Sequence, residues 1–393
     1  MTLSLSTSQT PPFRTDLTWG FAMNSAQQIQ ANLTGAGNTN DTGVHIDWLA
    51  FTFKLKDLRH CEKAGFMGFT SKTQPYFPKA PKIERQLVNE GQSYEDYRAY
   101  VDFVMRQYLE ECLRVFVTKV LGLAMSAPLD KSFQFYENSF NLLSPTGEAF
   151  CGRIGIGGNN DTVHFTINGT GCKHMLANRS LFSLYHWLNN VLQITTLARI
   201  DLAFDDFHGL FDCKYALTAA YEGAFKPSVR GKNPKVKEDF EYELLADGSR
   251  KYIKEQVSVG SRQSQIYWRI YNKALEQNLE DTSITWYRSE VELKRWDVDV
   301  LRNIEGAFAA INQYAASIES SEPFDTKPTP QKRAALDLLS STHWLRRQWG
   351  RVVSDLIELY DGDSLKVVET IARGDPRLGF PSTYNQLVNT ILE

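Results

Sequence analysis

Short runs in which apolar and polar residues alternate recur along most of the chain, and they restrict it to folds built on strands. They begin with VHIDWLAFTFKL at residues 44–55 and include FCGRIGIGG at 150–158 and TVHFTING at 162–169. Because successive side chains of a strand point to opposite faces, this period of two predicts strands buried on one side. The turn-forming segments SPTG and GGNND separate consecutive runs, so we expect a meander of antiparallel strands.

Segments with helical spacing lie between these strands. Residues 93–125 start with Ser93, a residue type that caps helices, and carry apolar residues three or four positions apart. We predict further helices at 179–196 and 212–224, and two or three more after the proline-rich segment 321–332. The expected fold class is α+β, with largely antiparallel sheets packed with helices and a helical C-terminal region.

The chain divides into four segments. Residues 1–43 are rich in Ser, Thr, Asn, Gln and Gly, which predicts a disordered polar tail. Residues 44–194 and 195–304 are two α+β halves, the second of which carries the candidate catalytic motifs, and 305–393 are the helical C-terminal region. HIDWLAFTF and ARIDLAFDDF, near the starts of the two halves, both place an Ile-Asp pair at the head of an apolar strand. This similarity suggests an internal duplication.

Composition indicates an ordinary folded protein, with 42% hydrophobic and 12% aromatic residues. No run of eighteen apolar residues occurs, and the N-terminus lacks the basic and then apolar pattern of a secretion signal. We therefore expect a cytoplasmic protein. The five cysteines are odd in number and form no CxxC pair, so neither a disulfide framework nor a structural zinc site is predicted.

The formal net charge of −3 hides a basic segment. Between Lys226 and Lys273, eleven Lys or Arg oppose six Asp or Glu, a local balance of +5, and such a segment is suited to phosphates. The candidate DNA-binding residues in its first part are Lys226, Arg230, Lys232, Lys235 and Lys237. The C-terminal helices have a basic bias too, so the sequence leaves open which of the two segments would recognise DNA.

Three predicted strands carry charged residues on a face where ordinary core strands carry apolar ones. The three sets are Arg199, Asp201 and Asp205; Arg269, Tyr271 and Lys273; and Arg288, Glu290, Glu292 and Lys294. If these faces meet in one sheet, their carboxylates offer hard oxygen ligands for Mg²⁺ or Mn²⁺. Tyr271, with Arg269 and Lys273 favouring its phenolate, would be a nucleophile toward a phosphodiester. The alternatives are an exposed sheet tyrosine and cross-strand ion pairs on a solvated face.

Other candidate sites carry weaker signals. GIGGNND at 155–161 lacks the phosphate-loop pattern and predicts a hairpin turn. The seven histidines include no HEXXH motif and no pair separated by one hydrophobic residue. His45 and Asp47, at the head of the first strand, are considered as further members of the site, and the other residues of the first half that would complete it are left open.

Three motifs carry a resemblance to a known family. RIDLAFDD at 199–206, GSRQSQIYWRIYNKALEQ at 260–277 and YRSEVELKR at 287–295 occur in the order and spacing that resemble the trans-acting replication initiation factors. These are the Rep proteins of small rolling-circle plasmids and filamentous phages. The resemblance is strong at the three motifs, covers residues 195–297 well and is only suggestive for 44–195.

The resemblance implies roles for individual residues. Tyr271 matches the nicking nucleophile, and Arg262 and Lys273 match phosphate contacts. Asp201, Glu290 and Glu292 match the metal-dependent active site, to which the strand face adds Asp205. Arg269 is assigned to catalysis beside Tyr271 and Lys273, and Arg288 and Lys294 are assigned to DNA binding.

The implied reaction is attack by Tyr271 on one phosphodiester of the double-strand origin. It leaves a 5′-phosphotyrosine and a free 3′-hydroxyl that primes synthesis, and joining reverses it. The implied partners are the origin DNA, the nicked single strand and a host helicase, with a homodimer common among the relatives. The polar N-terminus and the length favour a filamentous phage or prophage in a bacterial host cell. The resemblance also implies that the duplicated half is relaxase-like.

Two other functions are weighed against this one. A non-catalytic origin-binding protein or repressor would keep the basic surface, but it has no use for carboxylates that repel phosphate unless a metal lies between them. A conjugative relaxase would use the same phosphotyrosine chemistry. The lack of a histidine-hydrophobe-histidine motif argues against the relaxase.

Overall fold

The chain folds around one antiparallel sheet of ten strands. The computed structural model describes residues 43–58, 76–83, 93–129, 131–228, 230–279, 284–327, 345–346 and 349–372. The strands are β1 (Val44–Lys54), β2 (Ala124–Met125), β3 (Asn138–Leu143), β4 (Phe150–Ile156), β5 (Thr162–Asn168), β6 (Thr196–Asp206), β7 (Val236–Leu244), β8 (Arg250–Gly260), β9 (Ile266–Asn272) and β10 (Tyr287–Asp297). Together with the helices below, this sheet confirms the predicted α+β class.

The two halves of the sheet have the same topology. The strand order is β2-β3-β4-β5-β1-β6-β10-β9-β8-β7, so each half places its first strand beside its last and runs outward from there. β1 and β6 pair antiparallel at the centre and join the halves into one sheet. The duplication that two similar strands suggested is therefore present in the strand topology.

The helices, like the strands, are distributed over both halves of the chain. The α-helices are α1 (Tyr94–Val115), α2 (Gly169–Asn178), α3 (Leu181–Tyr185), α4 (Cys213–Tyr221), α5 (Lys273–Glu276), α6 (Ile304–Ala309) and α7 (Gln313–Ile318). In the C-terminal region, residues 349–359 are helical and a further helix covers Ser364–Ile371. Ser93 caps α1 by accepting a hydrogen bond from the amide of Asp96. Helix α1 continues as a π-helical segment to Leu121, where Gly122 adopts the left-handed conformation that ends it.

The helices cover one face of the sheet and form a single hydrophobic core with it. In the first half, Phe116 packs edge-on against Phe53 and Phe165, with centroid distances of 5.6 and 5.7 Å. In the second half, Phe308 of α6 packs against Phe204 and Trp268. Because strand side chains alternate, the residues between these apolar positions point to the opposite face of the sheet.

The β7–β8 ribbon shows that the segment predicted to be basic is not basic along its whole length. Residues 236–255 contain four Lys or Arg and six Asp or Glu, and Lys254 pairs with Asp239 across the ribbon at 2.6 Å. The basic excess therefore lies in the loop 226–235 that precedes β7 and in residues 256–273. The sequence interpretation did not identify β7, because its alternating residues are Glu, Asp and Lys with few apolar partners.

Several predicted boundaries differ from the structure. The helix expected at 93–125 ends before β2, and the one expected at 179–196 is the shorter α3 followed by a π-helical segment that ends at Val191. The tail 1–42 lies outside the described residues, as do Cys61 and much of the C-terminal region. The four other cysteines are buried and free, and no described helix is long and apolar enough to span a membrane.

Phe165 lies where the sheet and the helices of the first half meet, so it tests the packing. Its ring is fully buried and stacks 4.9 Å from Phe51. We expect Phe165→Ala to lower the free energy of unfolding by about 3–5 kcal/mol, the usual cost of a large cavity. Denaturant titration measures this, with the exposed Phe182→Ala as the control. A loss below about 1 kcal/mol would contradict the proposed packing.

Candidate active site

One face of the second half is polar, and strand register brings the predicted residues together on it. We call this surface the polar face. Asp201 of β6 lies opposite Glu292 of β10, and Glu290 of β10 lies opposite Arg269 of β9. Directly paired residues point to the same side of a sheet. The three charged strand faces identified in the sequence therefore meet in one sheet.

Tyr271 lies in the middle of this face and is bound to a carboxylate. Its hydroxyl donates a hydrogen bond to Oε2 of Glu290 at 3.2 Å, while Oε1 of Glu290 accepts one from Arg269. The tyrosine is only 7% exposed. Burial, with the charge of Glu290 adding to it, raises the pKa of Tyr271 well above its ordinary value.

The structure reverses the expectation that cations lower the pKa of this tyrosine overall. Arg269 does favour the phenolate, but burial and Glu290 outweigh it and the net pKa rises. Lys273 lies beyond the end of β9 and begins α5, so it does not share the strand face. Its ammonium pairs with Glu276 and lies 5.5 Å from the centroid of the Tyr271 ring. Glu290, rather than a lysine, is the close partner of the hydroxyl.

Asp201 and Glu292 share a guanidinium. Arg199 binds Asp201 through Nε at 2.8 Å and Glu292 through a terminal nitrogen at 3.0 Å, and Lys294 binds the other oxygen of Glu292 at 2.8 Å. Burial raises the pKa of Asp201 to about 7. Arg199 opposes this rise, and the nearby charges of Glu290 and Glu292 add to it.

The carboxylates fit a hard divalent cation in chemistry and in charge. Asp201, Glu290 and Glu292 are buried oxygen donors on adjacent strands of one face. Burial is the main cause of the raised pKa of Asp201, and a bound cation would lower that pKa because it stabilises the charged carboxylate. In the structure each one is bound to an arginine, and no three Asp, Glu, His or Cys side chains among the described residues are arranged to hold a metal.

Asp205, the fourth predicted metal ligand, belongs to a second cluster. Arg288 binds both oxygens of Asp205 at 2.7 Å and reaches Asp47 of β1 at 3.2 Å. The indole of Trp286 also donates to Asp205, at 2.9 Å. Burial disfavours the charge of Asp205, but Arg288 outweighs it and holds the pKa of this carboxyl below its ordinary value. Asp205 is thus engaged in holding Arg288.

His45 and Asp47 bring the first half into this second cluster. Nε2 of His45 lies 3.7 Å from Asp205, and burial lowers the pKa of the ring. A β-bulge between Ile46 and Trp48 lets His45 and Trp48 both reach the polar face. The bulge is not visible in the sequence, although the repeated Ile-Asp pair indicated the region. Trp286 was not identified from sequence at all.

The residues predicted to bind DNA are distributed over three places. Lys226, Arg230, Lys232, Lys235 and Lys237 lie in the loop before β7 and at its start, and all but Lys226 are exposed. Arg262 lies in the exposed turn before β9, where its carbonyl accepts a hydrogen bond from Lys294. Arg288 is buried in the second cluster, so it is no freely exposed cation.

A known protein family matches the part of the chain that holds all of these residues except His45 and Asp47. Residues 195–371 match the family model described as replication initiation factor, and this span contains β6 to β10. The match confirms, for this part of the chain, the resemblance that the three motifs indicated.

Two further comparisons concern the whole chain. No curated protein matches it. Among solved structures, it is similar to the rolling circle replication initiator protein from Geobacillus stearothermophilus, with 15% sequence identity and a TM-score of 0.42. That likeness covers 73% of this chain and 99% of the other.

The raised pKa of Asp201 predicts an unusual dependence of stability on pH. Because folding raises this pKa from 3.8 to about 7, ionising the carboxyl costs stability as the pH rises through this range. Asp201→Asn removes the cost. In metal-free buffer we expect the variant to be more stable than wild type by up to about 4 kcal/mol above pH 7, and the two to converge below about pH 4. Denaturant titrations across this range measure it; parallel curves would contradict the raised pKa.

Proposed function

We propose that the protein initiates rolling-circle replication by cutting and rejoining one strand of origin DNA through Tyr271. One observation carries the proposal: the hydroxyl of Tyr271 is hydrogen-bonded to the carboxylate of Glu290 on a polar face crowded with carboxylates and guanidinium groups. The surrounding sequence matches the replication initiation factor family. A phenol with an adjacent base, beside cations that attract phosphate, is suited to phosphodiester transfer.

The cutting step is a transesterification. Glu290 accepts the proton of the Tyr271 hydroxyl as the phenolic oxygen attacks phosphorus, and the bond between phosphorus and the 3′ oxygen breaks. The 3′ oxygen leaves with the electron pair and takes up a proton, which gives a free 3′-hydroxyl and a 5′-phosphotyrosine. In the joining step, a 3′-hydroxyl attacks the phosphorus of the phosphotyrosine and gives up its proton to solvent, while the bond between phosphorus and the phenolic oxygen breaks. The phenolic oxygen takes the proton back from Glu290, which returns Tyr271 to its starting state.

The raised pKa of Tyr271 explains why this chemistry needs a base. At neutral pH the phenol keeps its proton, so the tyrosine is inert until a phosphodiester reaches it and the proton moves to Glu290. Arg269 holds the other oxygen of Glu290. Arg288, the cross-strand partner of Tyr271, is among the charges that favour the phenolate.

A divalent cation completes the proposal. Asp201 and Glu292 would hold Mg²⁺ or Mn²⁺ beside Glu290, whose two oxygens remain with Tyr271 and Arg269. Asp205 would position Arg288 rather than bind the ion. When bound, the ion supplies Lewis-acid polarisation of the phosphodiester. Arg199 and Lys294, which now neutralise Asp201 and Glu292, would then be available to phosphate.

The partners, the cellular location and the replicon are proposed from the family resemblance rather than from the geometry of the site. Origin DNA would contact the exposed basic loop that precedes β7, where phosphate contacts dominate affinity. A host helicase, the bacterial cytoplasm and a filamentous phage or prophage replicon belong to the same proposal.

A second candidate function is a DNA-binding protein that does not cut. It is favoured by the finding that the predicted metal ligands are each bound to an arginine and that no metal-holding set is formed among the described residues. In that case the same clusters would be structural ion pairs.

Replacing the nucleophile separates the two functions. We expect wild type with Mg²⁺ or Mn²⁺ to convert supercoiled replicon DNA into open circles with a protein-linked 5′ end, and Tyr271→Phe to give neither. Tyr287 provides the matched control. It pairs with Asp206, one position from Asp205 along β6, so it points to the opposite face, and its hydroxyl binds Glu255 at 2.7 Å.

The outcomes are distinct. Cutting by Tyr287→Phe and none by Tyr271→Phe supports the assignment. Cutting by Tyr271→Phe excludes this tyrosine as the nucleophile, and DNA binding without cutting by wild type under either metal supports the non-catalytic protein.

Removing the base tests the proton transfer. We expect Glu290→Gln to slow adduct formation by about 10²–10⁴-fold, the usual contribution of a general base. DNA binding should change far less. The adduct is quantified by gel shift of labelled DNA, and its rate is followed with pH. A variant that keeps the wild-type rate and the same pH profile would exclude Glu290 as the acceptor.

A further inference from the structure

The polar face continues beyond the candidate active site into the first half of the sheet. Strand register places Asn141 of β3, Arg153 of β4, Thr166 of β5, Ala50 of β1 and Arg199 of β6 in one row. Side chains of paired residues point to the same side. With neighbouring strands about 4.8 Å apart, β4 lies roughly 14 Å from β6 and roughly 24 Å from β9 on one continuous surface.

Two polar groups in this row lack partners. Nε of Arg153 and Oδ1 of Asn141 are buried, and neither makes a hydrogen bond within the described part of the chain. The guanidinium of Arg153 lies 5.3 Å from the centroid of the Phe133 ring. Buried polar groups are normally satisfied, and an arginine held against an aromatic ring is suited to phosphate. A ligand or water that entered this row would supply the missing hydrogen bonds.

A tight turn at residues 133–136 lies over the same face. Phe133 and Tyr136 exchange backbone hydrogen bonds, and the Tyr136 ring stacks on His164 of β5 with a centroid distance of 6.2 Å. Gln134 and Phe135, between them, have φ of 47° and 72°. Turns of this shape prefer Asn-Gly, because bulky side chains are strained at positive φ.

Phe135 is one of the two residues of this turn with a strained backbone. Its side chain is 96% exposed, so the protein gains no packing from the ring. Strained residues of this kind concentrate where ligands bind. An exposed aromatic ring two residues from Phe133, the ring that contacts Arg153, matches how proteins bind single strands, whose unpaired bases stack on aromatic side chains while their phosphates meet cations.

We propose that the surface formed by Phe135, Arg153 and Asn141 binds single-stranded DNA. The proposal rests on the proposed function, because the strand it holds is the one separated at the origin that Tyr271 cuts. The surface is continuous with the candidate active site, and its cation and exposed ring complement phosphates and unpaired bases. A duplex hides the faces of its bases, so it cannot use Phe135.

Binding is measured by fluorescence anisotropy with a labelled oligothymidylate, in metal-free buffer and in the Tyr271→Phe background. Cleavage then cannot contribute. We expect Phe135→Ala to weaken binding about 10-fold, and Arg153→Ala to reduce the slope of log K against log salt by about 0.7. Phe182→Ala is the matched control, since Phe182 is 59% exposed but lies on α3, away from the polar face, and should bind like its parent.

Phe135→Gly separates binding from folding. Glycine adopts positive φ without strain, so its melting temperature should equal or exceed that of the parent while its binding falls as in Phe135→Ala. Unchanged binding in both Phe135 variants overturns the proposal. An equal loss of binding to a duplex of the same length also overturns it, because the surface would then not distinguish single strands.

The same proteins distinguish this proposal from the proposed function. With Tyr271 present, formation of the covalent adduct reports on cutting alone. A Phe135-dependent loss of oligothymidylate binding supports the strand-binding surface even if no adduct forms, which would overturn only the proposed function. An adduct formed by a protein whose strand binding does not depend on Phe135 overturns only the strand-binding surface.

Discussion

The antiparallel pairing of β1 with β6 is the interaction on which the rest of the structure depends. It joins two halves of equal topology into one sheet with a helical layer on one face and a polar surface on the other. It also brings Asp47 and His45 from the first half to Arg288 and Asp205 in the second. Without this pairing, Arg288 would lose Asp47 and the polar face would end at β6.

Buried ion pairs help to fix the geometry of the site. Arg288 is 5% exposed and is shared by two carboxylates from different halves. Desolvating such ions is expensive, and removing one partner of a buried pair typically costs about 3–5 kcal/mol, because the other charge is left uncompensated. The arrangement of Tyr271, Glu290 and their neighbours is therefore fixed by electrostatics as well as by backbone register.

Much of this arrangement could be predicted from the sequence, because a strand has a period of two. The alternation in β6, β9 and β10 correctly placed Asp201, Glu290 and Tyr271 on the charged faces of their strands, but it did not show that the three strands are neighbours in one sheet. Lys273 was misplaced, since the strand ends one residue earlier where Asn272 caps α5. The net pKa of Tyr271 was misjudged because burial, which outweighs the cations, depends on packing rather than on local sequence.

Other features depend on contacts that a single sequence does not display. The bulge at β1, the match of the two halves and the turn at Phe135 each involve residues distant in the chain or an unusual φ. β7 was missed for a different reason: its charged alternation resembles that of a loop. In the sequence the duplication was visible only as a shared Ile-Asp pair followed by a helix and antiparallel strands, a weak signal because apolar strands resemble one another by chance.

The two ends of the sheet also determine how the protein behaves toward its own copies. An open sheet exposes a row of unpaired amides and carbonyls at each edge, to which further strands can add. Here one edge is β2, only two residues long, and the other is β7, whose sequence VKEDFEYEL carries five charged side chains in nine residues. In the sheet formed by the described residues, shortness at one edge and charge repulsion at the other disfavour the addition of further strands and edge-to-edge aggregation.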